Sequence, residues 1–182
     1  MPRLVSEPID FYFDFSSPYG YFAAARIDAI AAKSARAVNW RPILLGAVFK
    51  VTGQQPLPSI PLKGDYAKRD LARTARLLGV PFRFPSRFPV ATTAACRVYY
   101  SVAGRDPALA KRLAWALYRA YFADDRDISV PETVMAIASD IGVSPEELSA
   151  AINHPAVKER LRQAVDGAIA RGVFGSPYIV VD

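Results

Sequence analysis

The chain has 182 residues, 52% of them hydrophobic and 22% charged, which is the composition of one ordinary globular core with room for an insertion. Its net charge of +6 is scattered among acidic residues, without a basic run or nucleic-acid motif, so no nucleic-acid partner is expected. A single Cys excludes an intrachain disulfide, and Cys96 and the single His154 lie too far apart along the chain to suggest a Cys-His nucleophilic pair or a zinc cluster. No span approaches the roughly 18 apolar residues of a membrane helix.

In chain order, Met1-Pro2-Arg3-Leu4-Val5-Ser6-Glu7-Pro8 has neither an apolar h-region nor a cleavage site, which predicts a cytoplasmic protein. Residues 8–15 read as a buried strand of aromatic and β-favouring side chains. A helix is predicted over 18–35, with Tyr21, Phe22, Ala25, Ile27, Ala29 and Ile30 supplying apolar surface. A second strand follows over 36–43, carrying Val38, Trp40 and Ile43. A right-handed crossover would set the two strands parallel. No Gly-x-Gly-x-x-Gly stands at the first turn, which argues against a dinucleotide site.

Residues 44–50 read as a short helix, and 51–63 as a loop rich in Pro and Gly. A helix over 64–78 ends at Gly79-Val80-Pro81, and a second Pro-rich loop with Phe82, Phe84 and Phe88 follows. Further helices are predicted over 90–103, from Asp106-Pro107 to Ala123, over 131–141, and from Ser144, where Ser144-Pro145-Glu146-Glu147 forms a capping box. A last helix over 155–172 leads to Phe174-Gly175-Ser176-Pro177 and an apolar strand. Cys96 falls in a helical stretch and reads as a buried structural thiol. His154, between two helices, reads as a loop or cap residue.

The chemistry centres on Ser17-Pro18. A serine before a proline is an N-cap followed by a residue whose missing N–H costs nothing at the first helical position. Its hydroxyl sits at a strand end beside the positive end of a helix, a place suited to an anion. A helix cap and nothing more is the plainer reading of the same residue. Asp14, at the strand end, reads as a residue that orients the helix start or is partly buried, and it is assigned no chemistry.

A strand–helix opening paired with a late Gly-Ser-Pro-strand resembles the thioredoxin-like fold, in which a cis-proline packs against the helix start. A redox member would carry Cys-x-x-Cys there; this chain has Ser17-Pro18-Tyr19-Gly20, which excludes disulfide exchange. The resemblance sharpens with Phe11-Tyr12-Phe13-Asp14-Phe15-Ser16-Ser17-Pro18-Tyr19, Trp40-Arg41-Pro42-Ile43-Leu44-Leu45-Gly46-Ala47-Val48-Phe49-Lys50, Gly79-Val80-Pro81-Phe82 and Phe88-Pro89. These look like the 2-hydroxychromene-2-carboxylate isomerases, in the branch with bacterial disulfide oxidoreductases and kappa-class glutathione transferases.

That resemblance implies an α/β protein, a thioredoxin-like core over 1–43 and 155–182 with an all-helical insertion over 44–154. It implies glutathione as cofactor, its thiolate held by Ser17 and its backbone paired at Ser176 and Pro177. The thiolate would add to and leave an aromatic carboxylate substrate met by Lys50 and Phe88, interconverting 2-hydroxychromene-2-carboxylate and trans-o-hydroxybenzylidenepyruvate. A homodimer is implied too. In that family a further strand, a helix and a Trp-Gly-Asn-Asp-type motif follow the last strand, so either the chain continues past Asp182 or the glutathione site is completed differently. A kappa-like transferase and a non-catalytic thioredoxin-like binding module remain alternatives.

Overall fold

The structure is a computed structural model that describes residues 7–181, apart from the side chains of Glu147 and Ala150. The expectation of no targeting segment over 1–6, and the Glu147 half of the capping box, lie outside the described residues.

The fold is built on β1 (Ile9–Phe13), every residue of which is buried. Among the described residues β1 is the middle strand of three: β2 (Val38–Pro42) lies parallel on one side and β3 (Tyr178–Val180) antiparallel on the other. Its alternate residues serve different faces. Phe11 and Phe13 stack on each other at 4.9 Å and meet Trp40 edge-on. Asp10 and Tyr12 face the other way, where Asp10 pairs with Arg41 and Arg171. The period-two alternation of a strand imposes this division.

The helices follow as α1 (Pro18–Ala24), α2 (Ile27–Ala32), α3 (Leu45–Thr52), α4 (Lys63–Leu78), α5 (Thr93–Ala103), α6 (Pro107–Phe122), α7 (Pro131–Asp140), α8 (Pro145–Asn153) and α9 (Pro155–Ala170), with a 3₁₀ turn at Leu57–Ser59. Proline opens α1, α6, α7, α8 and α9, the positions that its fixed φ favours. Asp106 caps α6 by accepting from the Leu109 N–H at 2.9 Å. His154 caps α9 through Nδ1, which accepts from the Ala156 N–H, and Cys96 is buried and free, as the sequence predicts for both.

Three expectations need correction. The helix over 18–35 is two helices, interrupted at Ala25 and Arg26; Ile27 and Ala31 are buried after the break, whereas Ala29 and Ile30 are exposed. The helix expected from 90 begins at Thr93, and the Val90 N–H before it donates to the Ser16 hydroxyl. The loop over 51–63 holds the 3₁₀ turn, and α3 runs to Thr52, where Gly53 ends it at φ 71°.

One continuous hydrophobic core joins strand and helical side chains, with Phe11, Phe13 and Phe15 packed among Tyr99, Leu113, Tyr118 and Phe122. The Tyr99 and Tyr100 hydroxyls of α5 donate to the Trp40 and Pro42 carbonyls of β2. These bonds lash the helical layer to the outer strand. Among the described residues no helix is long and apolar enough to cross a membrane.

Candidate active site

The end of β1 and the start of α1 converge on the loop before β3. Ser17 has extended backbone (φ −97°, ψ 114°) and its Oγ accepts from the Gly20 N–H at 3.1 Å, the N-cap geometry anticipated from Ser-Pro. The same hydroxyl donates to the Ser176 carbonyl at 2.8 Å. The Ser176–Pro177 bond is cis, which places that carbonyl beside α1. Ser176 answers with its own Oγ, which accepts from the Asp14 N–H at 2.9 Å.

Gly20 makes this approach possible. A Cβ there would stand 2.6 Å from the Tyr118 hydroxyl and 2.9 Å from Ser176 Oγ, closer than real Cβ atoms come. The Tyr118 hydroxyl in turn donates to the Asp14 carbonyl at 3.0 Å.

Asp14, read from the sequence as a buried or helix-orienting residue without chemistry, is bonded on both carboxylate oxygens. Its carboxylate is buried and accepts from three groups: the Ser16 N–H at 2.8 Å, the Thr92 hydroxyl at 3.0 Å and the Leu45 N–H at 2.7 Å. Burial pushes its pKa up, against the pull of those bonds. Two of the donors are backbone N–H groups, which can only donate, so the bonding matches the ionised form. The signal was present in the sequence: an acid inside an otherwise apolar aromatic run must find donors when that run is buried.

Beside this corner lies a cavity of about 950 Å³. Asp14, Ser16, Ser17, Ser176, Gln54 and Gln55 are among its polar lining residues, and Phe49, Leu57, Leu71, Phe88 and Phe174 are among its apolar walls. Tyr19 also lines it, and its hydroxyl donates to Asp70 at 2.7 Å; burial and that carboxylate push the phenol up to about 12.

Phe88 is held from behind. Its loop is fastened to the segment after α6 by Arg83 and Ser86 on Asp125 and by Arg87 on Asp127, and to α6 itself by the Tyr121 hydroxyl, which donates to the Arg87 carbonyl. The structure therefore gathers Ser17, Ser176 and Phe88 at one cavity, and cis-Pro177 adjoins it. Lys50 is exposed in the last turn of α3 and is not among the lining residues, although its neighbour Phe49 is. No Lys, Arg or His lines the cavity among the described residues.

A family model for the DSBA-like thioredoxin domain matches residues 8–182. The chain belongs to this family. This DSBA-like domain is 31% identical over 173 residues to the 2-hydroxychromene-2-carboxylate isomerase of Pseudomonas putida, covering 93% of this chain and 82% of the relative. The isomerase of Sphingobium xenophagum is 28% identical over 184 residues, covering 98% and 90%. The kappa 2 glutathione S-transferase of Caenorhabditis elegans is 28% identical over 178 residues, covering 94% and 79%. A solved 2-hydroxychromene-2-carboxylate isomerase superposes with a TM-score of 0.85 at 26% identity, covering 96% of this DSBA-like domain and 85% of that chain. The thioredoxin-like fold with added helices is thus established, and the relatives are isomerases and glutathione transferases.

Proposed function

We propose that the protein is a glutathione-dependent isomerase acting on a small conjugated aromatic carboxylate, with Ser17 as its catalytic residue. The observation that carries this reading is the Ser17 hydroxyl itself, buried at the end of a large cavity and shared between the Gly20 N–H and the Ser176 carbonyl. The relatives named as 2-hydroxychromene-2-carboxylate isomerases support the substrate class.

The donor set fits a thiol. A neutral hydroxyl–carbonyl bond contributes about 1 kcal/mol net, and one to a charged partner about 1.5–3 kcal/mol, so exchanging the Ser176 carbonyl for an anionic sulfur is favourable. The Gly20 N–H keeps Ser17 Oγ in place while its proton is redirected. The Ser176 backbone beside cis-Pro177 would pair with the tripeptide as an added strand does. Bound glutathione supplies a thiolate nucleophile that can add to a conjugated carbon, free the former double bond to rotate, and leave again. Phe88 and Phe49 give the aromatic part of the substrate an apolar wall. The cytosolic glutathione pool suits this requirement.

Kappa-class relatives make conjugation the second reading. Incubation with reduced glutathione and 2-hydroxychromene-2-carboxylate separates the two. Isomerised product with glutathione unconsumed is expected. A stable thioether would replace the isomerase reading by the transferase, and no turnover with no glutathione binding would overturn both.

A further inference from the structure

We infer that Asp14 is a positioning residue, whose buried carboxylate fixes the α3 wall of the cavity in register with Ser17. α3 cannot cap itself: Leu44, at its N-cap, makes no side-chain bond. The first N–H of the helix, on Leu45, goes instead to Asp14 Oδ2, across 31 positions of sequence. Asp14 Oδ1 holds the Ser16 N–H and the Thr92 hydroxyl, while its main-chain carbonyl holds the Ser17 N–H at 2.9 Å.

One residue therefore sets the place of three cavity-lining segments. These are Ser16-Ser17, the α3 face bearing Leu45 and Phe49, and Val90-Ala91 before Thr92. A carboxylate supplies the acceptors that these donors require, and it does so at the positive end of α3. The groups that face it are Tyr118 and Tyr121 of α6 and Cys96 of α5, all pushed up by burial. Each stays neutral, so none competes with Asp14 for charge. The role assigned to the α3 wall, seating the electrophile, rests on the function proposed above; the tie between Asp14 and α3 does not.

Asp14→Asn uncouples the elements selectively. An amide of the same shape can keep Ser16 and Thr92 on its oxygen, but its NH₂ then faces the Leu45 N–H, donor against donor. Calorimetry would compare glutathione with S-hexylglutathione, whose tail reports on the apolar walls, in the wild type, Asp14→Asn and Thr92→Val. The amide resonance of Leu45 would be followed in the wild type between about pH 3 and pH 7, across the carboxylate range.

The expected result is a Leu45 amide proton that moves with Asp14 ionisation, and an S-hexylglutathione affinity that falls about tenfold in Asp14→Asn while glutathione changes less than about twofold. Thr92→Val should keep the advantage of the hexyl tail, because the Val90 N–H stays on the Ser16 hydroxyl and the Leu45 N–H on Asp14. A Leu45 resonance indifferent to pH, or equal losses for both ligands or in both variants, would overturn the inference. If Asp14→Asn does not fold, the wild-type Leu45 titration decides. If the wild type binds no glutathione, the proposed function falls while the Leu45 titration still decides the tie to α3.

Discussion

The Ser17 hydroxyl donates to the Ser176 carbonyl at 2.8 Å, joining residues 159 positions apart and closing the corner where α1 meets the cis-proline loop. It is both a structural bond and the donor that the proposed chemistry redirects. Ser17→Ala removes it together with the cap on Gly20. A stability loss of about 1–2 kcal/mol is expected in denaturant unfolding. Turnover should fall by about 10²-fold or more, the usual cost of one lost anion donor. Lost stability with unchanged turnover would leave Ser17 as a cap alone.

Gly20→Ala tests how tightly that corner is built. In an exposed helix the change would stabilise by up to about 1 kcal/mol. Here the new Cβ meets Tyr118 and Ser176, and a net loss of about 1–3 kcal/mol is expected from overpacking. Glutathione binding should weaken with it, because Ser176 must move. A stabilised variant would show that the loop before β3 yields freely.

Gly64→Ala addresses the other rim. Its Cβ would stand 2.3 Å from the Pro58 carbonyl oxygen, a backbone atom that cannot rotate away. The segment carrying Pro56, Leu57 and Pro58 should lift from α4, lowering the unfolding midpoint and raising KM for the aromatic substrate with little change in glutathione affinity. An unchanged KM would remove this segment from the substrate site.

The Asp10 pair gives a pH dependence. Burial raises its pKa, but bonds from Arg41 and Asn39, the Arg41 charge and the bond from Arg171 outweigh that and hold the carboxyl below its usual value. A depressed folded pKa stabilises above the unfolded value near 3.9, and the contribution fades as pH falls through the folded value. Because both arginines are about half exposed, Asp10→Asn should cost only about 1–2 kcal/mol at neutral pH. The gap between variant and wild-type melting temperatures should close below about pH 3. A gap independent of pH would mean that the loss is packing alone.

Much of this fold is legible in the sequence because its signals are local. The aromatic run of β1 and the prolines opening α6, α7, α8 and α9 each act within a few residues. Ser17 was legible for the same reason, as a cap before Pro18. What was not legible depends on partners far along the chain. The break at Ala25 and Arg26 answers to which side chains reach the core, and the Val90 N–H before α5 finds its acceptor on Ser16, 74 positions earlier. Asp14 is the clearest case: its burial and its bond to the helix start at Ser16 are legible at the strand end, but the Leu45 and Thr92 donors lie far along the chain. Lys50, placed at the substrate by resemblance alone, is exposed outside the lining, where its long side chain carries no local sign of direction.

The measurement that bears most directly on the account is the ultraviolet titration of glutathione bound to the wild type and to Ser17→Ala, following thiolate absorbance against pH. Cys96 is buried with its thiol pushed well up, so its own ionisation does not intrude. The account predicts a step for bound glutathione below the ordinary thiol range near 8.5, moving up towards that range in the variant. A bound thiol that titrates alike in both proteins would contradict it.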